Sequence, residues 1–310
     1  MVSSLKHIIS LKELDRNDLL GILQKGIEIK RNPQAFFSAC ERKGLFMLFQ
    51  KTSTRTSLSF QSGIHQMGGY AAMMDWEASN FKLSPIQYEV RYASRNCDLI
   101  MARLKKNVDL LQLAQYSSVP VINGCCEKYH PCQALADLMT VYEVAGTFSG
   151  ITITYVGIHN NVANSLVAGC TTLGIKLLLV TPIINEDSWD EELMQAAYRS
   201  GHVENVVCLS EAVSRTDFIY TDTWVDMEFY IDPNYKEENN RRIEIMSNFQ
   251  LNRANLMGFS PYIMHDMPIH PGLEIEEELI ESDHSVIYQQ AENRMHAQKA
   301  LMLYLVENHE

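Results

Sequence analysis

Three short segments, far apart in a chain of 310 residues, carry groups suited to gripping a phosphate or polarising a carbonyl: Ser53-Thr54-Arg55-Thr56, His130-Pro131-Cys132-Gln133 and Asn293-Arg294-Met295. Arginine presents a planar fork that fits phosphate oxygens two at a time, and hydroxyls add donors of adjustable direction. A histidine at a helix start has its neutral form favoured, so it can donate one N–H to a carbonyl oxygen without being an imidazolium. Each segment alone also fits a blander role: a solvated loop for the tetrad, an ordinary capping residue for His130. Arg103, beside Lys105 and Lys106, reads equally as surface charge.

Position separates these readings. Gly44-Leu45-Phe46-Met47-Leu48-Phe49 is a short apolar run that breaks into Gln50-Lys51-Thr52, the pattern of a buried strand entering a polar loop. Leu58, Phe60, Ile64 and Met67 then follow mostly at helical spacing until Gly68-Gly69. The tetrad therefore sits at a strand-to-helix turn, where free backbone N–H groups and the positive end of the helix dipole favour an anion. It is no P-loop, because the glycines and the Gly-Lys-Ser/Thr ending are missing. Pro131 suits the first turn of a helix whose face carries Leu135, Leu138 and Tyr142, which puts His130 at its start and Gln133 one residue inside. Arg103 closes the apolar run Cys97 to Ala102, and in an open α/β sheet ligands bind beyond the carboxyl ends of strands. Arg294 lies in a final helix spanning 286–308, so three guanidiniums around one small ligand imply a dianion such as a phosphate ester or anhydride.

The elements around these residues alternate. Residues 11–30 have a helical rhythm, Met73-Met74 closes a short strand, and Val119 to Asn123 is another. In the second half, Ile151 to Val156 is a β-branched strand followed by a helix from about Asn161, with further strands at Lys176 to Val180, Val206 to Leu209, Phe218 to Thr221 and Tyr262 to His265. This predicts an α/β fold of two doubly wound parallel-sheet domains. The first domain covers 1–145, completed by a C-terminal helix at 286–310 that returns to it, and the second covers 146–285. No Gly-x-Gly-x-x-Gly follows the first strand of the second half, which argues against a dinucleotide. The acidic stretch Glu274 to Glu281 reads as a solvated helix face.

Composition narrows the function. A formal net charge of −12 argues against nucleic-acid or anionic-membrane partners. No apolar run approaches the ~20 residues that span a bilayer, and the N-terminus lacks a secretory pattern. Seven cysteines, odd in number and without Cys-x-x-Cys spacing, read as reduced and buried in a cytoplasmic protein. No His-Glu-x-x-His pair suggests a metal.

Taken together, these segments resemble the aspartate/ornithine carbamoyltransferase family, nearly end to end. The family's Ser-x-Arg-Thr loop appears as Ser53 to Thr56 and its His-Pro-x-Gln motif as His130 to Gln133. The ornithine branch is matched by Asn160-Asn161-Val162-Ala163-Asn164-Ser165-Leu166, by Asp222-Thr223-Trp224-Val225 followed by Met227, and by Glu292-Asn293-Arg294-Met295-His296. The resemblance implies that Ser53, Thr54, Arg55, Thr56, Arg103 and Arg294 hold the phosphate of carbamoyl phosphate, while His130 and Gln133 bind its carbamoyl end. Attack by an amine creates an oxyanion beside a leaving phosphate, and fixed donors stabilise both charges. The resemblance implies no cofactor and no metal, and a homotrimer.

The amine side departs from the family. The usual Asp-x-x-x-Ser-Met-Gly is here Asp222-Thr223-Trp224-Val225-Asp226-Met227-Glu228, and the usual His-Cys-Leu-Pro is His265-Asp266-Met267-Pro268. The expected amine-binding set is Asn161, Asp222, Asp226, Met227, Asp266 and Met267. Asp222 would pair with an α-ammonium, Asn161 would meet a carboxylate, and Asp266 would act as a base or hold the amine as an ammonium. L-ornithine is the first expectation for this small basic amine. Putrescine, lysine or a related amine, and a noncatalytic carbamoyl phosphate-binding paralogue, are the alternatives. Ser57 stands where the family often has arginine and Gln61 where it often has glutamate, with weakened preorganisation expected at most. The stretch Ser79 to Pro85 replaces a loop that a neighbouring subunit commonly contributes in the family, and its Lys82 could serve a similar role.

Overall fold

The computed structural model describes residues 6–225 and 232–309. Its chain separates into two compact units, Met1–Met139 with Glu292–Glu310, and Thr140–Ala291. Each is built on one parallel sheet with helical crossovers, the α/β class that the alternation predicts.

In the first unit, strands β1 (Gly44–Phe49), β2 (Tyr70–Asp75), β3 (Leu99–Arg103) and β4 (Val121–Cys125) lie in the order β2-β1-β3-β4. β1 is buried along its whole length, as a central parallel strand must be when both its faces are covered. The chain leaves β1 toward β2 on one side and comes back to β3 on the other, so the loops after β1 and β3 diverge and open a crevice at their carboxyl ends. Helix Thr54–His65 starts in that crevice and buries Thr56, Phe60, Gly63 and Ile64. Leu58 is 64% exposed: two residues from Thr56, it falls on the opposite face of the helix.

In the second unit, β5 (Thr152–His159), β6 (Lys176–Ile184), β7 (Val203–Asn205), β8 (Phe218–Thr221) and β9 (Tyr262–His265) lie in the order β7-β6-β5-β8-β9. Here the order reverses between β5 and β8. Val156, Leu178, Val180, Ile219 and Ile263 supply the sheet side of a core completed by Leu209, Val213, Leu251, Leu279 and Ile280. The strand expected at Val206 to Leu209 instead lies three residues earlier. The edge strand β7 ends at Asn205, and Leu209 is buried by opening the short helix Leu209–Val213. The acidic stretch also differs from expectation: Glu277–Ile280 forms only a short helix, and Glu274 is fully buried.

Helix Arg16–Arg31 packs closely within the first unit at Gly26. A Cβ there would lie 2.9 Å from Met139 Sδ and 3.4 Å from the carbonyl oxygen of His296. Gly26→Val is expected to lower stability by about 1–3 kcal/mol through overpacking. Thermal unfolding checks this, and a midpoint equal to that of the wild type would mean the contact has room to give.

Candidate active site

The first unit gathers basic groups around one hydroxyl. Thr56, 1% exposed in the first turn of helix Thr54–His65, accepts hydrogen bonds at Oγ1 from Arg294 Nη2 at 2.9 Å and from Arg103 Nη1 at 3.4 Å. One neutral oxygen thereby fixes two guanidiniums that would otherwise repel each other. Ser53 is the N-cap residue, but its side chain makes no capping bond. Thr54 is exposed and Arg55 half-buried. Gln50 holds the crevice mouth: its N–H donates to the Arg103 carbonyl at 2.9 Å, and its Oε1 accepts from the Lys105 amide at 2.8 Å. In the third segment, Asn293 serves as an anchor, accepting from Lys30 Nζ at 2.8 Å.

His130 stands immediately before helix Pro131–Ala145 and is 5% exposed. Burial pushes its pKa well below the usual histidine value, and Arg294, Arg103, Arg55 and Lys51 push the same way. The imidazole is therefore neutral, able to donate a proton in a hydrogen bond without adding charge to a cationic site. Gln133, 1% exposed, donates from Nε2 to Asp137 Oδ1 at 2.9 Å. That bond fixes the amide's orientation. Its Oε1 is buried with no partner among the described residues, an acceptor suited to a ligand N–H. An imidazole donor, an amide acceptor and three guanidiniums match a dianion that carries an amide-like –C(=O)NH2.

Ser57 and Gln61 are joined by a neutral bond: Gln61 Nε2 donates to Ser57 Oγ at 2.8 Å. Ser57 in turn contacts Met73 Sδ at 3.3 Å, tying the helix to β2.

The second unit gathers carboxylates at its own reversal point. Asp222 follows β8 directly, is 2% exposed, and accepts from Asn160 Nδ2 at 2.7 Å, Tyr155 Oη at 3.0 Å and the Thr223 N–H at 2.6 Å. Asn160 is held in turn, because its Oδ1 caps helix Asn161–Leu173 by accepting from Val162 N and Ala163 N. Burial drives the Asp222 pKa well above the ordinary carboxylate range, and the charge of the neighbouring Asp266 carboxyl drives it further. Asp266 follows β9, with its side chain 16% exposed. Met267 takes a left-handed φ of 61°, and its N–H donates to His265 Nδ1 at 2.8 Å.

Two influences compete at His265. Burial lowers its pKa, while Asp266, Glu274 and Asp222 outweigh burial and raise it to about 9. The Met267 amide, however, needs a lone pair on Nδ1, and Asp266 Oδ1 lies 3.5 Å from that nitrogen, outside good bonding range. The ring that fits this geometry is neutral, with its proton on Nε2 donated to Glu274 Oε1 at 3.0 Å. Glu274 also accepts from the His270 amide at 2.6 Å.

Of the residues singled out from sequence, Thr56, Arg103 and Arg294 are in direct contact, and His130 lies within the field of these arginines and of Arg55. Asp222 and Asp266 follow paired strands and Asp266 raises the Asp222 pKa, while Asn161 is half-buried at the first position of its helix. Asp226 and Met227 lie outside the described residues. The structure adds Asp137, Tyr155, Asn160 and Glu274. Asp137 could have been found from its i, i+4 spacing to Gln133, and Asn160 from its place before a helix. Glu274 carried no signal, since its acidic neighbours make it look solvated.

Both halves of the chain match known proteins. Residues 6–143 match the model of the carbamoyl-P binding domain of aspartate/ornithine carbamoyltransferase, and residues 149–305 match that of its Asp/Orn binding domain. The ornithine carbamoyltransferase of Archaeoglobus fulgidus is 35% identical over 97% of this chain and 98% of its own length, and that of Methanocaldococcus jannaschii is 36% identical over 97% and 99%. The solved ornithine carbamoyltransferase of Pyrococcus furiosus superposes with a TM-score of 0.88 at 35% identity, covering 97% of each chain.

Thr56→Val keeps the side-chain shape but removes the acceptor shared by Arg294 and Arg103. We expect the affinity for inorganic phosphate to fall roughly tenfold, the loss of about one hydrogen bond to a charged group. Titration calorimetry measures this, and unchanged affinity would show that the arginines are positioned without Thr56.

Proposed function

Because this chain belongs to the aspartate/ornithine carbamoyltransferase family, we propose that it moves the carbamoyl group of carbamoyl phosphate to the side-chain amine of L-ornithine, giving citrulline and phosphate. The observation that carries the reading is the pairing of a neutral His130 and a buried amide acceptor on Gln133, without a partner among the described residues, with guanidiniums held on Thr56. Ser53, Thr54, Arg55, Thr56, Arg103 and Arg294 hold the phosphate. His130 donates to the carbamoyl oxygen and Gln133 Oε1 accepts from the carbamoyl –NH2. As the amine attacks, charge grows on the oxygen facing His130 and on the departing phosphate, and donors already in place stabilise both without reorganising. Neutral His130 suits this role, since it can donate to the growing oxyanion without adding a charge beside the arginines.

The acceptor is met by Asn161, Asp222, Asp266 and Met267, together with Asp226 and Met227. The two carboxylates Asp222 and Asp266 favour a cationic acceptor, and they leave putrescine and L-lysine as second readings beside L-ornithine. No described helix is long and apolar enough to cross a membrane, and we place the enzyme in the cytoplasm. Assembly as a homotrimer is supported by an exposed apolar surface on the first unit. Five of the six residues of edge strand β2 are exposed, with Tyr70 at 54% and Met73 at 58%, and Leu83 nearby in sequence is 81% exposed. Lys82, exposed and paired with Glu77 at 2.5 Å, is the side chain that a neighbouring copy would receive.

Arg55→Ala is expected to abolish carbamoyl phosphate binding in calorimetry; undiminished binding refutes the phosphate assignment. Phosphate release with L-ornithine, L-lysine and putrescine ranks the acceptors. If L-ornithine is not the best of the three, the acceptor assignment falls while the transfer reading stands.

A further inference from the structure

The side chain of His130 leaves the backbone between two planar peptide units, one shared with Tyr129 and one with Pro131, so holding both planes fixes its direction. The helix holds the Pro131 side. The His130 carbonyl accepts from the Gln133 N–H at 3.1 Å and the Ala134 N–H at 3.2 Å, and a residue before proline is confined to extended backbone. The Tyr129 side is held by a loop. The Tyr129 carbonyl accepts from the Cys126 N–H at 3.0 Å and from Asn123 Nδ2 at 3.3 Å, while the Tyr129 N–H donates to Cys126 Sγ at 3.3 Å. Residues 126–129 are thus closed on themselves and pinned from outside by one side chain.

That side chain, Asn123, is fully buried on the edge strand β4. Its Nδ2 also donates to the Ile9 carbonyl at 2.9 Å, with Cys126 Sγ a weaker acceptor at 3.4 Å. Turning the amide over would set its oxygen against the two carbonyl oxygens of Ile9 and Tyr129, so the orientation is decided by its surroundings. Ile9 belongs to a segment that runs parallel beside β4, where the Ile8 N–H donates to the Val121 carbonyl and the Asn123 N–H to the Ile8 carbonyl, both at 2.8 Å. Its two ends are tied as well. Lys6 pairs with Asp18 at 2.6 Å, and Lys12 Nζ lies over the Tyr129 ring, 5.0 Å from the centroid. Residues 6–12 therefore cover the sheet edge and reach the loop before His130 at two points.

We infer that Asn123 is a positioning residue for His130, and that through it residues 6–12 are a working part of the carbamoyl-binding half-site. This rests on the carbamoyl-transfer reading and deepens it. A hydrogen bond to a developing oxyanion acts only when the donor is already aimed, and a misplacement of about 1 Å can cost on the order of 100-fold in rate. Asn123 touches no reacting group. It keeps the Tyr129–His130 peptide from rotating by joining two buried carbonyls, one on the covering segment and one on the loop. Without it the Tyr129 carbonyl keeps the Cys126 N–H but loses its tie to the sheet edge, and the imidazole loses a fixed direction. Thr56 and its two arginines depend on none of these bonds, so phosphate binding and amide recognition separate.

The test compares Asn123→Ala with the wild type in titration calorimetry against two probes, inorganic phosphate and phosphonoacetamide. The second carries –C(=O)NH2 beside its phosphonate, so only it reads His130 and Gln133. We expect the affinity of Asn123→Ala for phosphonoacetamide to fall about tenfold, the scale of one hydrogen bond, with that for phosphate unchanged. Hydrogen exchange should rise together in residues 6–9 and 126–130. Should Asn123→Ala fail to fold, Cys126→Ala removes the acceptor of the Tyr129 N–H while leaving the edge strand in place, and the same selective loss is expected. A variant that still prefers phosphonoacetamide as the wild type does overturns the inference. Equal weakening of both probes also overturns it, because the residue then supports the whole unit and not His130. A wild type that binds both probes equally overturns the carbamoyl assignment of His130 and Gln133 itself, a result distinct from either.

Discussion

Parallel strand pairing is the constraint from which both candidate half-sites follow. In a parallel sheet every strand delivers its carboxyl end to the same edge, and where the strand order reverses the two departing loops turn away from each other. The first unit reverses between β1 and β3, whose ends pair as Phe49 with Arg103. The tetrad opening at Ser53 and the guanidinium of Arg103 emerge at that point. The second unit reverses between β5 and β8, which places Asn160 and Asp222 side by side. Neither pair of residues is close in sequence. Backbone hydrogen bonding brings each together before any side-chain chemistry acts.

Within each half-site, the protein sets charge by burial. His130 is kept neutral because a low dielectric and several nearby cations both oppose a further positive charge. Asp222 is kept from ionising freely by the mirror-image argument, burial beside another carboxyl. The two units therefore present opposite potentials, one shaped for an anion and one for a cation, on a chain whose formal net charge is −12. Net charge speaks to solubility and nonspecific partners, whereas the site depends on which side chains are removed from water. Thr56, Asp137 and Asn160 show how the groups are then aimed: each spends a short-range hydrogen bond on orienting a longer or more mobile side chain.

The sequence by itself determined the class of fold, because apolar runs of strand length alternating with helical periodicity leave few solutions other than parallel sheets. β1, β8 and β9 begin and end where their apolar runs do. It also located the candidate residues of the first unit, since Ser53 to Thr56, Arg103 and His130 to Gln133 stand at element boundaries that local pattern can find. Local pattern failed where burial is decided at long range. Glu274 looked solvated among acidic neighbours yet is fully buried against His265 and His270, and Leu58 looked like core yet faces outward. The edge strand β7 slipped from its expected place because three paired residues leave little pattern to read. What only the tertiary structure decided is the state of Asp222 and Asp266. A sequence counts them as two negative charges 44 positions apart, whereas pairing of β8 with β9 sets the residues that follow each strand side by side, and burial beside a second carboxyl raises the Asp222 pKa.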